Sequence, residues 1–204
     1  MRAGTVLRDL EEAEPKAIIE TLAFMSYNPS IGRALPKGSL NTFVNLLNER
    51  LPQLDRISCR QDFEEFHRKF VKEFMGKVKK TAKGEPVVYG QAQKPLNVFL
   101  KVFVHWASRP NHEVAERIRP LLHVPLDSVL MREVKQLFHK QCQEFVRPAY
   151  AGNSPSVQLR HVDDINKYLA WQKCFRAIYP DRPIVLDVLW WKWRRAKREE
   201  GQPE

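Results

Sequence analysis

Apolar residues recur along this chain at helical intervals, not in the alternation that strands require. After Glu14-Pro15, residues Ile18, Ile19, Leu22 and Ala23 fall on one face and predict a first helix. Ser39 reads as the cap of a second, with Phe43, Val44, Leu46 and Leu47 inward and Pro52 beyond its end. A third opens at Asp62, where Phe63, Phe66, Phe70 and Phe74 form a single stripe. It ends in Lys77, Lys79, Lys80 and Lys83 beside Gly84, cations suited to a helix C-terminus and equally to phosphates. A hairpin at Gly90 then leads into a dense apolar helix over 94–107. A short helix leads to Pro120, and Asp127 caps another that runs to about Val146. Residues 148–155 read as a loop or hinge, and the last helices cover 161–178 and 184–198. The expectation is an all-α protein, with residues 1–204 forming one compact helical domain of two lobes.

Composition narrows the class. With 43% hydrophobic residues in 204, the chain is long enough for a substantial core. It has no apolar run near the roughly 18 residues of a membrane span. The charged N-terminal sequence gives no secretion signal. Cys59, Cys142 and Cys174 are far apart and odd in number, which points to a reducing cytoplasm and not to a disulfide framework. The net charge of +10 suits a polyanionic partner, most often nucleic acid, although a merely basic soluble protein would carry it too.

Candidate chemistry lies in two segments, Val87-Val88-Tyr89-Gly90-Gln91-Ala92-Gln93-Lys94 and His123-Val124-Pro125-Leu126-Asp127. Pro95 directly after Lys94 suits the first turn of a helix, where a missing N–H costs nothing. A lysine at such a start meets the positive end of the helix dipole. If partly buried there, it is easier to deprotonate to the nucleophilic amine. Taken alone, Lys94 reads as an exposed lysine and Asp127 as an ordinary N-cap. As a pair they supply an amine and a carboxylate, the groups Schiff-base chemistry needs.

These residues resemble the helix-hairpin-helix superfamily of DNA glycosylases, in particular the 8-oxoguanine type in its archaeal form. The family motif is Gly-x-Gly-x-Lys at a helix start, then an apolar helix and Val-Pro-Val-Asp. Here Gly90-Gln91-Ala92-Gln93-Lys94 carries alanine at the second glycine, and Val124-Pro125-Leu126-Asp127 carries leucine for valine. The resemblance spans about residues 85–135. It implies that Lys94 displaces the base and forms a Schiff base with the sugar, while Asp127 steadies positive charge or assists proton transfer. It further implies that the backbone N–H groups of Gly90, Gln91, Ala92 and Gln93 hold a DNA phosphate. The implied activity is a DNA glycosylase, with AP-lyase strand nicking through the same lysine. Oxidised guanine is the family's default substrate, flipped into a cleft between the lobes. The expected protein is a cytoplasmic monomer that binds DNA, needs no cofactor or metal, and stays off membranes. Ala92 lacks glycine's freedom at positive φ, and Pro95 stands where the family has an ordinary residue.

Lys94, Asn97, Lys101 and His105 fall at i, i+3, i+7 and i+11 on an otherwise apolar helix. That stripe meets water or lines a pocket, and Lys101 is the rival amine. His123 lies near Asp127 in sequence and reads first as a loop histidine, with tuning of Asp127 as the alternative. Trp190-Trp191-Lys192-Trp193-Arg194-Arg195 mixes aromatics with cations in the manner of single-strand binders, although Leu186, Leu189, Trp190 and Trp193 also make a core stripe. No Cys-x-x-Cys, phosphate-binding loop or nucleophile elbow is present. Two non-enzymatic readings stay open: a DNA-binding module that has lost its chemistry, and a helical protein-interaction module.

Overall fold

The computed structural model describes residues 3–27, 31, 34–150, 157–189, 191, 192 and 195. Helix α1 covers Ala3–Ser26 and continues through Pro15, so it opens well before the Glu14-Pro15 start that periodicity suggested. Helix α2, Ser39–Arg50, is entered through Gly38 at φ 88°, a conformation that suits glycine. Ser39 is therefore the first helical residue and not the cap. Its buried hydroxyl donates to the Pro36 carbonyl at 2.6 Å and accepts from the Tyr27 hydroxyl at 2.7 Å. Helix α3, Arg60–Val78, starts two residues before Asp62. The Asp62 carboxylate reaches back to the Ser58 N–H and hydroxyl and to the Cys59 N–H, and so satisfies the helix entry from within the first turn.

The phenylalanine stripe of α3 builds the centre of the fold. Phe63, Phe66, Phe70 and Phe74 are all buried. The Phe43 ring from α2 meets Phe70 and Phe74 edge-on, each at 5.8 Å. It also meets Phe99 of the next helix at 6.2 Å. Burying each such ring contributes on the order of 2 kcal/mol beyond leaving it exposed, and edge contacts add to that. The core runs without a break from Ala23 to Leu186.

The chain reverses between α3 and the next helix at Gly84, not at Gly90. Gly84 sits at φ 84°, Thr81 N–H bonds Glu85 C=O at 2.7 Å, and Val87 N–H bonds Lys79 C=O at 3.0 Å. The isolated bridge between Lys80 and Pro86 lies in this turn, and no strand occurs among the described residues. Helix α4 then covers Tyr89–Leu100, with Gly90 inside its first turn. Lys94 is thus the sixth residue of the helix and not its start. Pro95 lies deeper still, where it forgoes the bond to the Gln91 carbonyl. Lys101–Trp106 continues α4 as a π-helical turn, closed by Ala107 N–H on Val102 C=O at 2.9 Å.

Helix α5, His112–Ile118, is capped by Asn111, and a 3-10 turn Arg119–Leu121 follows. Asp127 caps helix α6, Ser128–Leu137, as expected. That helix stops at Phe138, where ψ is 51°, and does not reach Val146. The segment 139–149 forms α7, with the π-helical turn Cys142–Val146 at its middle. Helix α8, Ile165–Ile178, is capped by Asp164 and followed by the 3-10 turn Pro183–Asp187. Much of the loop expected over 148–155 and of the helix expected over 184–198 lies outside the described residues. Of the Trp190–Arg195 segment, Trp191 is half exposed, with the Arg195 guanidinium 5.6 Å from its ring centre. No described helix is long and apolar enough to cross a membrane.

Candidate functional site around Lys94 and Asp127

Lys94 Nζ lies 2.7 Å from Asp127 Oδ2. The pairing that sequence placed 33 residues apart is therefore a direct ion pair. Asp127 divides its carboxylate between two tasks: Oδ2 takes the lysine, and Oδ1 accepts the Val129 N–H at 2.8 Å as the cap of α6. Burial would raise this carboxyl. The Lys94 charge and hydrogen bond, with the Val129 and Leu130 N–H groups, outweigh it and hold the group below the usual carboxylate range. The pair is not sealed, since the Lys94 side chain is 14% exposed and that of Asp127 31%.

Side-chain amides fix the segment that carries Asp127. Gln172 of α8 brackets Val124, its Oε1 accepting the N–H and its Nε2 donating to the carbonyl, both at 2.9 Å. Gln93 Oε1 accepts the Leu126 N–H at 3.4 Å. Arg176 holds the carbonyls of Pro120 and Leu121 just upstream. An extended stretch with no strand neighbour thus has its backbone groups met by α4 and α8, as burial requires.

Behind the pair lies a polar cluster of which sequence reading named Gln93, Asn97 and His123 but missed His67, Tyr89 and Tyr168. Asn97 Oδ1 meets His67 Nε2 at 2.8 Å, and Asn97 Nδ2 donates to Gln93 Oε1 at 2.6 Å and to the Tyr168 hydroxyl at 2.8 Å. The Tyr168 hydroxyl also meets His123 Nδ1 at 2.8 Å and His67 Nε2 at 3.1 Å, and the Tyr89 hydroxyl meets His67 Nδ1 at 3.3 Å. The Tyr168 and His67 rings stack, 5.1 Å apart and 5° from parallel. Burial pushes His67 down to about 4 against the pull of Asn97, and drives His123 well below its ordinary value. Both are neutral imidazoles near neutral pH. Tyr168 is pushed well up by burial and stays a hydroxyl. Gln93 with Asn97 on α4, and Tyr168 with Gln172 on α8, stand at i, i+4 as buried polar pairs. That spacing was the available signal.

The remaining expected site residues fall as follows. Gly90 N–H donates to the Val162 carbonyl at 2.7 Å, and the N–H groups of Gln91 and Ala92 donate to Val88 at 3.0 and 3.1 Å. The Gln93 side chain is fully buried and spent on Gly90 C=O and Asn97. A Cβ on Gly90 would stand 2.5 Å from the Leu159 carbonyl, so glycine serves here for close packing and not for a turn. Of the polar stripe on α4, Asn97 enters the cluster and Lys101 pairs with Asp187, its Nζ also 4.8 Å from the Trp106 ring centre. His105 is half buried, lowered by burial and then by Arg182, Arg119 and Lys101. His123 does not reach Asp127 through any described hydrogen bond; it is bound to Tyr168, with Nε2 buried and unpartnered. Lys94, Asn97 and Lys101 of the stripe therefore enter separate pairings, while His105 Nδ1 is buried without a hydrogen-bond partner. No group of three or more metal-ligating side chains gathers among the described residues. Comparison with family models, with curated proteins and with solved structures finds no match to this chain.

Proposed function

We propose that this protein is a DNA-acting enzyme that excises a modified base through a Schiff base on Lys94, within a two-lobed, glycosylase-like helical arrangement. The observation that carries this reading is the partly open Lys94–Asp127 pair at 2.7 Å. Asp127 takes the proton from the Lys94 ammonium and frees its lone pair. The amine attacks the sugar carbon as the bond to the base breaks, and the base leaves with the proton that Asp127 had taken, which returns Asp127 to a carboxylate. The C1′–O4′ bond then opens as the nitrogen passes its proton to O4′, leaving a protonated imine to Lys94. The Asp127 carboxylate takes a C2′ proton, and the C3′–O bond breaks as the 3′-phosphate leaves. The charge of +10 supports a polyanionic substrate. With the N–H groups of Gly90, Gln91 and Ala92 committed to carbonyls, phosphates fall to exposed lysines and arginines. On this reading the chain works as a cytoplasmic monomer.

A second reading is a non-catalytic helical module in which the ion pair only clamps the 123–127 segment to α4. That same commitment of the first-turn N–H groups favours it. The test is incubation with duplexes carrying an abasic site, 8-oxoguanine or other modified bases, with and without borohydride. Base release, and a reduced protein–DNA adduct on the duplex that is cut, are expected. No release from any duplex, with salt-sensitive binding retained, selects the module.

A further inference from the structure

Cys142 opens the π-helical turn of α7 and Cys174 lies on α8, and their sulfurs are 3.4 Å apart. Both residues are buried, at 2% and 0% exposure. An isolated buried cysteine is an inert core residue. Two sulfurs in contact differ, because oxidation of one finds its resolving partner already in place. We propose that Cys142 and Cys174 form a redox modification site, closed to an intramolecular disulfide by a small hydroperoxide and reopened by thiols.

The two sulfurs are not equivalent. The hydrogen bond with Cys174 lowers Cys142 against its burial, aided by Lys135, whereas that bond and burial both raise Cys174. Cys142 opens the π-helical turn and keeps the only exposure of the two, 2% against 0%, with the Lys135 charge favouring its thiolate, so it is the attacking sulfur and Cys174 the resolving one. The Cys142 thiolate attacks the peroxide O–O bond, which gives a sulfenic acid and, after proton uptake, the alcohol or water from the other oxygen. The Cys174 thiol then attacks that sulfur. The S–S bond forms, the S–O bond breaks, and hydroxide leaves as water with the Cys174 proton. Two electrons pass from the thiol pair to one peroxide.

Closure ties α7 to α8 around the segment 142–174, which includes the Leu159–Val162 stretch seated on Gly90. A loop of that length should raise the melting temperature by about 5–10 °C through the unfolded state. This inference is independent of the base-excision reading.

The exposed Cys59 is first removed as Cys59→Ser, and the folded protein is treated with hydrogen peroxide, then denatured with an alkylating reagent. The expected product is lighter by about 2 Da, takes up no alkyl group, melts higher, and reverts with dithiothreitol. In Cys59→Ser/Cys174→Ser, Cys142 should stop at a sulfenic acid that dimedone captures. Full alkylation of both thiols after peroxide treatment would overturn the proposal. So would oxygen added to sulfur without a crosslink, or a crosslink only between molecules. The mass of the Cys59→Ser protein decides the matter even if the double variant fails to fold.

Discussion

Helix α4 and its π-turn carry two lysine–aspartate pairs on one face, seven residues apart, and they differ in how far they are sealed from water. Lys94–Asp127 leaves 14% and 31% of its side chains exposed, whereas Lys101–Asp187 leaves 11% and 6%. The first carboxylate sits at a helix N-cap, where backbone N–H groups share its charge. The second sits in a 3-10 turn, and its lysine also lies over the Trp106 ring. Desolvation costs a sealed pair several kcal/mol, which its own attraction must offset, so it fixes geometry more than it adds stability. A pair with one open side can exchange a proton and admit a substrate atom. On the proposed reading, the more open carboxylate of the first pair goes with chemistry at Lys94, and the sealed second pair with docking of the 183–187 turn by Lys101.

The sharpest way to break this comparison is to remove each amine in turn and trap on DNA. Lys94→Gln should abolish the borohydride adduct and slow base release by at least about a hundredfold. Lys101→Gln, where it folds, should leave trapping within a few-fold of wild type. If the outcomes are reversed, the sealed pair is the reactive one and the exposure argument fails.

The next largest effect is on stability. Asp187→Asn leaves the Lys101 ammonium buried without its counter-charge, and should cost about 3–5 kcal/mol. For a chain of this length that lowers the melting temperature by roughly 10 °C. Thermal unfolding measures it directly. A drop below a degree or two would show that Asp187 is far more hydrated than its burial implies.

How these pairs arise was legible only in part. Helical periodicity placed the interior faces of α2 and α3 because each apolar residue reports on its own burial, as the Phe63–Phe74 stripe does. Lys94 and Asp127 could be paired because a family pattern set them in order. The hairpin could not be kept: a glycine signals either positive φ or close approach, and Gly90 is needed for the second, against Leu159 and Val162. The positive φ belongs to Gly84. Lys101–Asp187, Cys142–Cys174 and the His67–Asn97–Tyr168 cluster join residues 86, 32 and up to 101 positions apart. No local pattern encodes such partners, because tertiary packing selects them.

Between the two pairs on the same face stands Asn97, which bonds the neutral His67 directly and reaches the neutral His123 through the Tyr168 hydroxyl. The folded-state value of His67 lies below that of the unfolded chain, so the unfolded state binds more protons as pH falls. Stability should be constant above about pH 6.5 and should fall by roughly 3 kcal/mol between there and pH 4 from His67 alone. His123 adds to the slope in the same direction. Asp127 acts in a lower window, because its depressed carboxyl gives stability that is lost only below about pH 4. Denaturant melts across pH separate the two. A His67→Gln variant should lessen the fall in the upper window to the part that His123 contributes, and leave the lower one.

The smallest effect falls on the open pair, and it tests most directly whether that pair is structural. Asp127→Asn keeps an amide oxygen for the Val129 N–H, and asparagine caps a helix about as well as aspartate. What is lost is an ion pair with a solvent-exposed side, worth about 1 kcal/mol, or 2–4 °C in melting temperature. Because Gln172 and Gln93 hold the 124–126 backbone independently of the carboxylate, the segment should keep its place. Stability and DNA affinity should then change little while turnover falls, since Asp127 is proposed to move a proton and not to dock the substrate. If Asp127→Asn instead destabilises the protein as much as Asp187→Asn, the two pairs are alike, and Lys94–Asp127 is a clamp.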